Sequence, residues 1–136
     1  MHFSTVGMCV HAEDVAAVRA FYVEVLGFTV AMDIGWFVSL RQLGHDDLEV
    51  CVVHRDHALG EDLAGPVRGV VFAFLVDDVD AEHARLRDLG VPVDVPPRAE
   101  PWGQRRFLVR DPAGTGIEIV QVTAPDPAWL AAQAAG

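Results

Sequence analysis

The strongest chemical signal in the chain is a carboxylate on an apolar strand. Glu118 stands in Gly116-Ile117-Glu118-Ile119-Val120-Gln121, a run whose side chains alternate. Ile117, Ile119 and Gln121 share one face; Gly116, Glu118 and Val120 share the other. An acid aimed from such a strand into an interior or a cleft is costly unless it meets a partner. Arg41, or Arg105, Arg106 and Arg110 on the extended run just ahead, can supply one. Otherwise the carboxylate can serve as a general base or hold a cationic ligand. No accompanying oxyanion site names a reaction. Trp36 and Trp102 carry the second signal. Each adjoins a glycine or proline at a predicted strand edge, and Phe37 follows Trp36. Flat, rigid rings at a cleft rim suit planar ligands. Capping a core end or filling a dimer seam would place them there equally well.

These side chains need strands to hold them. Asp111-Pro112-Ala113-Gly114 joins the run with the arginines, 104–110, to the run with Glu118, 116–123. Asp111 can bond the backbone ahead, Pro112 presets its φ, and Gly114 takes a positive φ cheaply. Upstream, the pattern predicts a strand over 3–11 and a helix capped by Asp14. Its Val15, Val18, Phe21, Tyr22, Val25 and Leu26 recur at helical spacing before Gly27 ends it. Strands at 28–34, 36–42 and 48–54 follow, the last two separated by a turn at 44–47. The charged, Gly- and Pro-containing stretch 55–68 reads as a connector. A second strand-helix unit then begins: strand 69–76, a helix capped by Asp77 or Asp78 and stopped by Gly90, an extended run 91–95, and a loop from Pro96-Pro97 to 101. Phe72 and Phe74 are expected to pack under the helices. Asp126-Pro127 opens a short Ala-rich helix, docked by Trp129.

The two halves echo each other. Each reads β-α-β-β-β, as module 3–54 and module 69–123 of one domain, 1–136, with a tail at 124–136. One such unit cannot cover both faces of its sheet. The expected class is therefore α+β, two βαβββ modules forming a curved, cup-like mixed sheet with a short C-terminal helix.

A net charge of −10 over 136 residues argues against nucleic acid and anionic membrane surfaces as partners. It tolerates a neutral or cationic ligand. No apolar run is long enough to cross a membrane, and the N-terminus lacks a basic-then-apolar layout, so a cytoplasmic location is expected. Cys9 and Cys51 sit inside apolar runs and are expected as buried thiols, with a disulfide between adjacent strands left open.

The order of elements, with Asp14-Val15, Phe21-Tyr22, Leu26-Gly27-Phe28, Phe74-Leu75-Val76-Asp77-Asp78-Val79-Asp80, Asp111-Pro112-Ala113-Gly114 and Ile117-Glu118, resembles the vicinal oxygen chelate superfamily. That group holds glyoxalase I, extradiol dioxygenases, fosfomycin-resistance enzymes and bleomycin-resistance binding proteins. In its metal-dependent members, each half supplies ligands from its first strand and from a later one. Carried over, the first-strand positions fall on Gly7 and Val71, which cannot bind an ion. The later positions fall on Glu49 and Glu118, which can. A catalytic first-row ion usually wants three protein ligands, with imidazole prominent. His11, His54 and His57 show no convergence in the sequence.

The resemblance therefore implies a metal-independent binding protein of the bleomycin-resistance type, with no cofactor. It would be a homodimer that sequesters a hydrophobic, planar or cationic natural product. Trp36, Phe37, Glu49, Cys51, Val71, Trp102 and Glu118 are the expected ligand-binding residues, with Ala73 and Val120 completing an apolar wall. The alternatives are a glyoxalase- or dioxygenase-like metalloenzyme with a rearranged site, a metal-free enzyme using Glu49 or Glu118 as base, and a structural dimer with a filled cup.

Overall fold

The computed structural model describes residues 1–2, 5–58, 64–65 and 68–135, with Asp46 described by its backbone alone. The first residues of the expected opening strand and much of the expected connector lie outside these. The chain forms two compact units, one of Met1–Gly69 with Asp111–Thr115 and the other of Val70–Arg110 with Gly116–Gly136.

The first unit opens with β1 (Val6–Ala12) and α1 (Val15–Ala20), which continues as a π-helical segment over Phe21–Val25. Asp14 caps α1, its carboxylate accepting from the Ala17 N–H at 2.9 Å. Gly27, at φ 77°, releases the chain into β2 (Thr29–Asp33), β3 (Phe37–Gln42) and β4 (His45–His54). The expected turn at 44–47 is shorter than predicted. Gln42 already pairs with His45, so only Leu43 and Gly44 turn, and the stretch that suggested a loop is the start of a strand, with His45 and Asp47 exposed. Arg55–His57 makes one 3-10 turn. The sheet order is β1-β4-β3-β2, with β1 and β4 parallel. Its helix-side face buries Val10, Val38, Leu40, Val50 and Val52 with Val15, Val18 and Tyr22 of the helix.

The second unit repeats the plan with β5 (Val71–Leu75), α2 (Val79–Asp88), β6 (Val93–Glu100), β7 (Gln104–Arg110) and β8 (Gly116–Val122), ordered β5-β8-β7-β6. Asp78 is the cap of α2, accepting from Ala81 N–H at 2.9 Å. The expected loop at 96–101 is instead largely strand, because β6 runs through Pro96-Pro97 to Glu100. A proline cannot donate to a ladder, but β6 is an edge strand, and its pairing with β7 skips from Val95 to Arg98. Phe72 and Phe74 pair with Ile117 and Ile119 on the helix side, as their parity predicts, where Val79 and Leu86 of α2 are buried. Asp126 caps α3 (Pro127–Ala134), with Pro127 in its first turn. The architecture is thus α+β, two four-stranded mixed sheets of like order plus a short C-terminal helix. No helix among the described residues is long and apolar enough to cross a membrane.

Asp111 does more than open its turn. Its Oδ1 accepts from Ala113 N–H at 2.9 Å and Thr115 N–H at 2.8 Å, while Oδ2 accepts from the Tyr22 hydroxyl at 3.2 Å. Burial, then the charge and hydrogen bond of Asp111, push the Tyr22 hydroxyl far above its ordinary range. An unfolded tyrosine ionises near pH ~10. Stability from this group is therefore intact below that pH and lost as pH rises above it, because the unfolded chain releases a proton that the folded chain keeps. Tyr22 is the chain's single tyrosine. Alkaline titration should therefore show no phenolate absorbance until the protein unfolds, and Tyr22→Phe should flatten the fall in stability above pH ~10. Phenolate forming near that pH in protein still folded by circular dichroism would contradict this placement.

Candidate functional site

Each sheet turns the acid of its expected site, Glu49 or Glu118, to the face away from its helix. In the first, ladder partners share a face, so Gly7 and Arg41 flank Glu49, and Cys9 and Ser39 flank Cys51. The Ser39 hydroxyl, itself buried, donates to Glu49 Oε1 at 2.5 Å, and Arg41 Nη2 stands 3.9 Å away. Glu49 is thus partnered inside its own sheet. The cysteines are free thiols and less buried than their apolar runs suggested: Cys9 is exposed and Cys51 half-buried. They lie away from the helix, and β1 is an edge strand, so the packed face excludes them. Burial pushes the Cys51 thiol up, helped by Glu49 and Cys9 and opposed by Arg41; burial alone raises Cys9. Trp36 lies just ahead of β3, 44% exposed, and stacks on His57 with ring centroids 4.3 Å apart. Phe37, half-buried, starts β3 with its ring 6.0 Å from that of Trp36.

In the second half-sheet the predicted alternation holds: Glu118 lies opposite Ala73 and Leu108, and Val71 opposite Gly116. Arg106 organises what surrounds Glu118. Its Nη1 donates to Glu118 Oε1, while Nε and Nη2 both reach Glu100 Oε1 at 2.9 Å. Arg98 donates to the same Glu100 oxygen at 2.7 Å. The Arg106 guanidinium carbon lies 5.2 Å from the Trp102 ring centroid, a cation–π distance. The Trp102 indole N–H donates to Gln104 Oε1 at 2.8 Å, and its ring stands 6.4 Å from that of Trp129.

Burial works against ionisation of Glu100, but the hydrogen bonds from Arg106 and Arg98 prevail and hold its carboxyl below the usual range. The same bond to Glu100, then the one to Glu118, push Arg106 up. A cavity of about 260 Å³ opens beside this network, walled by Val71, Val95 and Leu108 and edged by Arg98, Arg106 and Glu118. Of the expected site residues it takes in Val71 and Glu118. Trp102 is not among the lining residues, though its ring is in contact with Arg106.

Glu100, Arg98 and Ser39 were not singled out from the sequence. The first two fell in the stretch assigned to a loop. Their shared parity two residues apart after Pro96-Pro97 is the only local sign that the strand resumes. Ser39 gains meaning only when the β3–β4 register sets it on the face of Glu49. A larger cavity of about 460 Å³ belongs to the first unit and is edged by His11, Glu13 and Arg55, the last two paired at 3.1 Å. None of the expected ligand-binding residues lines it.

The chemistry of the donor set can be tested against a divalent ion. Gly7, beside Glu49, and Val71, on the face of Glu118, offer no donor atom. Glu49 is bonded by Ser39 and Glu118 by Arg106, a cation that already neutralises the carboxylate an ion would need. Among the described residues no three His, Cys, Asp or Glu side chains converge. These residues do not fit the metal centre that the resemblance attributes to the metal-dependent members.

Two βαβββ units, each with an acid on the sheet face away from its helix, define the class of fold. The chain belongs to the Glyoxalase/Bleomycin resistance protein/Dioxygenase superfamily, whose family model matches residues 5–119. Among solved structures it is similar to TnmS3, an antibiotic binding protein from Streptomyces sp. CB03234, with 28% identity, TM-score 0.71, and 90% of this chain and 100% of that one covered. It is similar also to a lactoylglutathione lyase from Agrobacterium tumefaciens, with 25% identity, TM-score 0.69, and 87% and 93% coverage. A glyoxalase/bleomycin resistance protein/dioxygenase from Nocardioides, 22% identical with TM-score 0.76 and 93% and 89% coverage, shares the fold. No curated protein sequence matches significantly.

Proposed function

We propose that the protein binds a planar small molecule without a metal, and confers resistance to a natural-product antibiotic by sequestering it as a homodimer. One observation carries this reading. Glu118, the acid in the ligand position of the metal-dependent relatives, is bonded by Arg106 and edges an apolar-walled cavity. A position that would offer a metal its carboxylate offers instead a neutralised polar edge beside a surface suited to a flat ring. The likeness to an antibiotic binding protein at 28% identity supports the same reading. The likeness to a lyase favours an enzyme; against it weighs the lack of donor atoms at Gly7 and Val71, where the resemblance would place two ligands of a metal centre.

Titration of the protein with planar antibiotics should quench tryptophan fluorescence, saturate near one ligand per chain, and be unchanged by a chelator. The ligand should be recovered chemically intact. Stoichiometric Ni, Zn, Fe or Mn in protein purified without chelators, or no response across the panel, would overturn the proposal.

A further inference from the structure

The cavity of the second half-sheet is balanced in charge before any ligand enters. Arg98 and Arg106 face Glu100 and Glu118, and every nitrogen of the Arg106 guanidinium is already engaged by a carboxylate. Glu100 lies outside the lining but is bonded to both arginines, so the four side chains sum to no net charge and an arriving ion of either sign gains little from the site. One atom stands out in this balance. Among the described residues only Arg106 bonds Glu118, through Oε1, which leaves Oε2 without a described partner at a side chain 19% exposed. A carboxylate oxygen beside apolar walls needs a donor once water is displaced.

We propose that this cavity accepts the hydroxyl-bearing edge of a neutral planar molecule, with Glu118 as hydrogen-bond acceptor and Glu100 as the positioning residue that holds Arg106 against Trp102 and Glu118. The proposal rests on the binding reading above and narrows its planar ligand to a neutral aromatic hydroxyl donor. The ring would lie on Val71, Val95 and Leu108. A volume of about 260 Å³ falls below the ~300 Å³ at which whole-ligand pockets begin, so the cavity seats one end of a fused ring system. Glu100 acts through Arg106. Its side chain is 9% exposed and it accepts from both arginines, which fixes a guanidinium that would otherwise be free to leave Glu118.

The test keeps one ring and changes one group. Full-length protein is titrated at neutral pH with 2-naphthol, naphthalene, 2-naphthoate and 2-naphthylmethylammonium. The Trp102 indole N–H and the Leu108 and Glu118 amides are followed by nuclear magnetic resonance. 2-Naphthol should bind about tenfold more tightly than the other three, the factor given by one hydrogen bond to a charged acceptor. Glu118→Gln should erase most of that preference. Glu100→Gln leaves the network one positive charge in excess, so it should weaken 2-naphthol and raise 2-naphthoate above the cation, a reversal that mere loosening of the fold would not produce.

A charged analogue matching or exceeding 2-naphthol in the wild type overturns the proposal while leaving the binding reading intact. So does binding of larger planar compounds with none of the naphthalenes perturbing these three reporters. If no planar compound of any size binds, both fall together.

Discussion

Asp111→Ala should cost about 3–5 kcal/mol of folding stability, a large part of the ~5–15 kcal/mol that a domain of this kind commands. The residue is 4% exposed and accepts three hydrogen bonds, from Ala113, Thr115 and Tyr22. Alanine would remove all three and leave two groups stranded. The Tyr22 hydroxyl is on a residue with no exposed surface, and the backbone N–H of Thr115 belongs to a residue equally buried. Each buried donor left without a partner costs ~1–3 kcal/mol, and hydrogen bonds to a charged acceptor are the stronger kind.

Two variants separate the contributions. Asp111→Asn keeps an oxygen for the two backbone donors and should lose about 1–2 kcal/mol. Tyr22→Phe removes one donor without stranding the others and should lose about 1 kcal/mol. Urea unfolding at neutral pH measures all three. An alanine variant within about 1 kcal/mol of wild type would show that water replaces these bonds, and that the turn does not depend on its carboxylate.

That link shows where the sequence was informative and where it was not. The turn itself was readable, because Asp, Pro and Gly each have a local reason to stand where they do. So were the caps Asp14 and Asp126 and the face of Glu118, all of which depend on residues at most a few positions away. The partner of Asp111 was not readable. Tyr22 looked like a core residue of a helix, and nothing within 89 positions of chain says that its hydroxyl meets that carboxylate.

The same division runs through the candidate site. Glu118 announced itself by alternation. Glu100 was hidden because two prolines argue for a loop everywhere except on an edge strand, and only the sheet order makes β6 an edge. Ser39 and Glu49 lie ten positions apart, and whether they meet depends on a turn of two residues at Leu43 and Gly44. The charges of His45 to Asp47 had suggested a longer one. A shift of one residue there would have put Ser39 on the helix side.

Removing the central cation of the second half-sheet should change the sign of a pH effect as well as a magnitude. Wild-type Glu100 is held below its usual value of 4.5. A depressed carboxyl contributes stability above its unfolded pKa, and this is lost as pH falls through the lower, folded value. In Arg106→Leu, Glu100 and Glu118 lose the guanidinium they share. Glu100, its burial then opposed by Arg98 alone among the described residues, is expected to bind a proton more readily than in the unfolded chain. Stability lost at neutral pH should return as pH falls through the ordinary carboxyl range, the reverse of the wild-type trend.

The whole chain carries a net charge of −10, so general self-repulsion also eases on acidification in both proteins. The quantity to follow is therefore their difference. Urea unfolding of wild type and Arg106→Leu from pH ~7 to ~4 should show the gap closing steadily as pH falls. The same variant should lose at least about fivefold in affinity for a planar ligand, because a carboxylate left desolvated without its counter-ion costs ~1–3 kcal/mol. A gap that stays constant with pH would mean that the two acids are free in solvent, and that Arg106 does not organise the site.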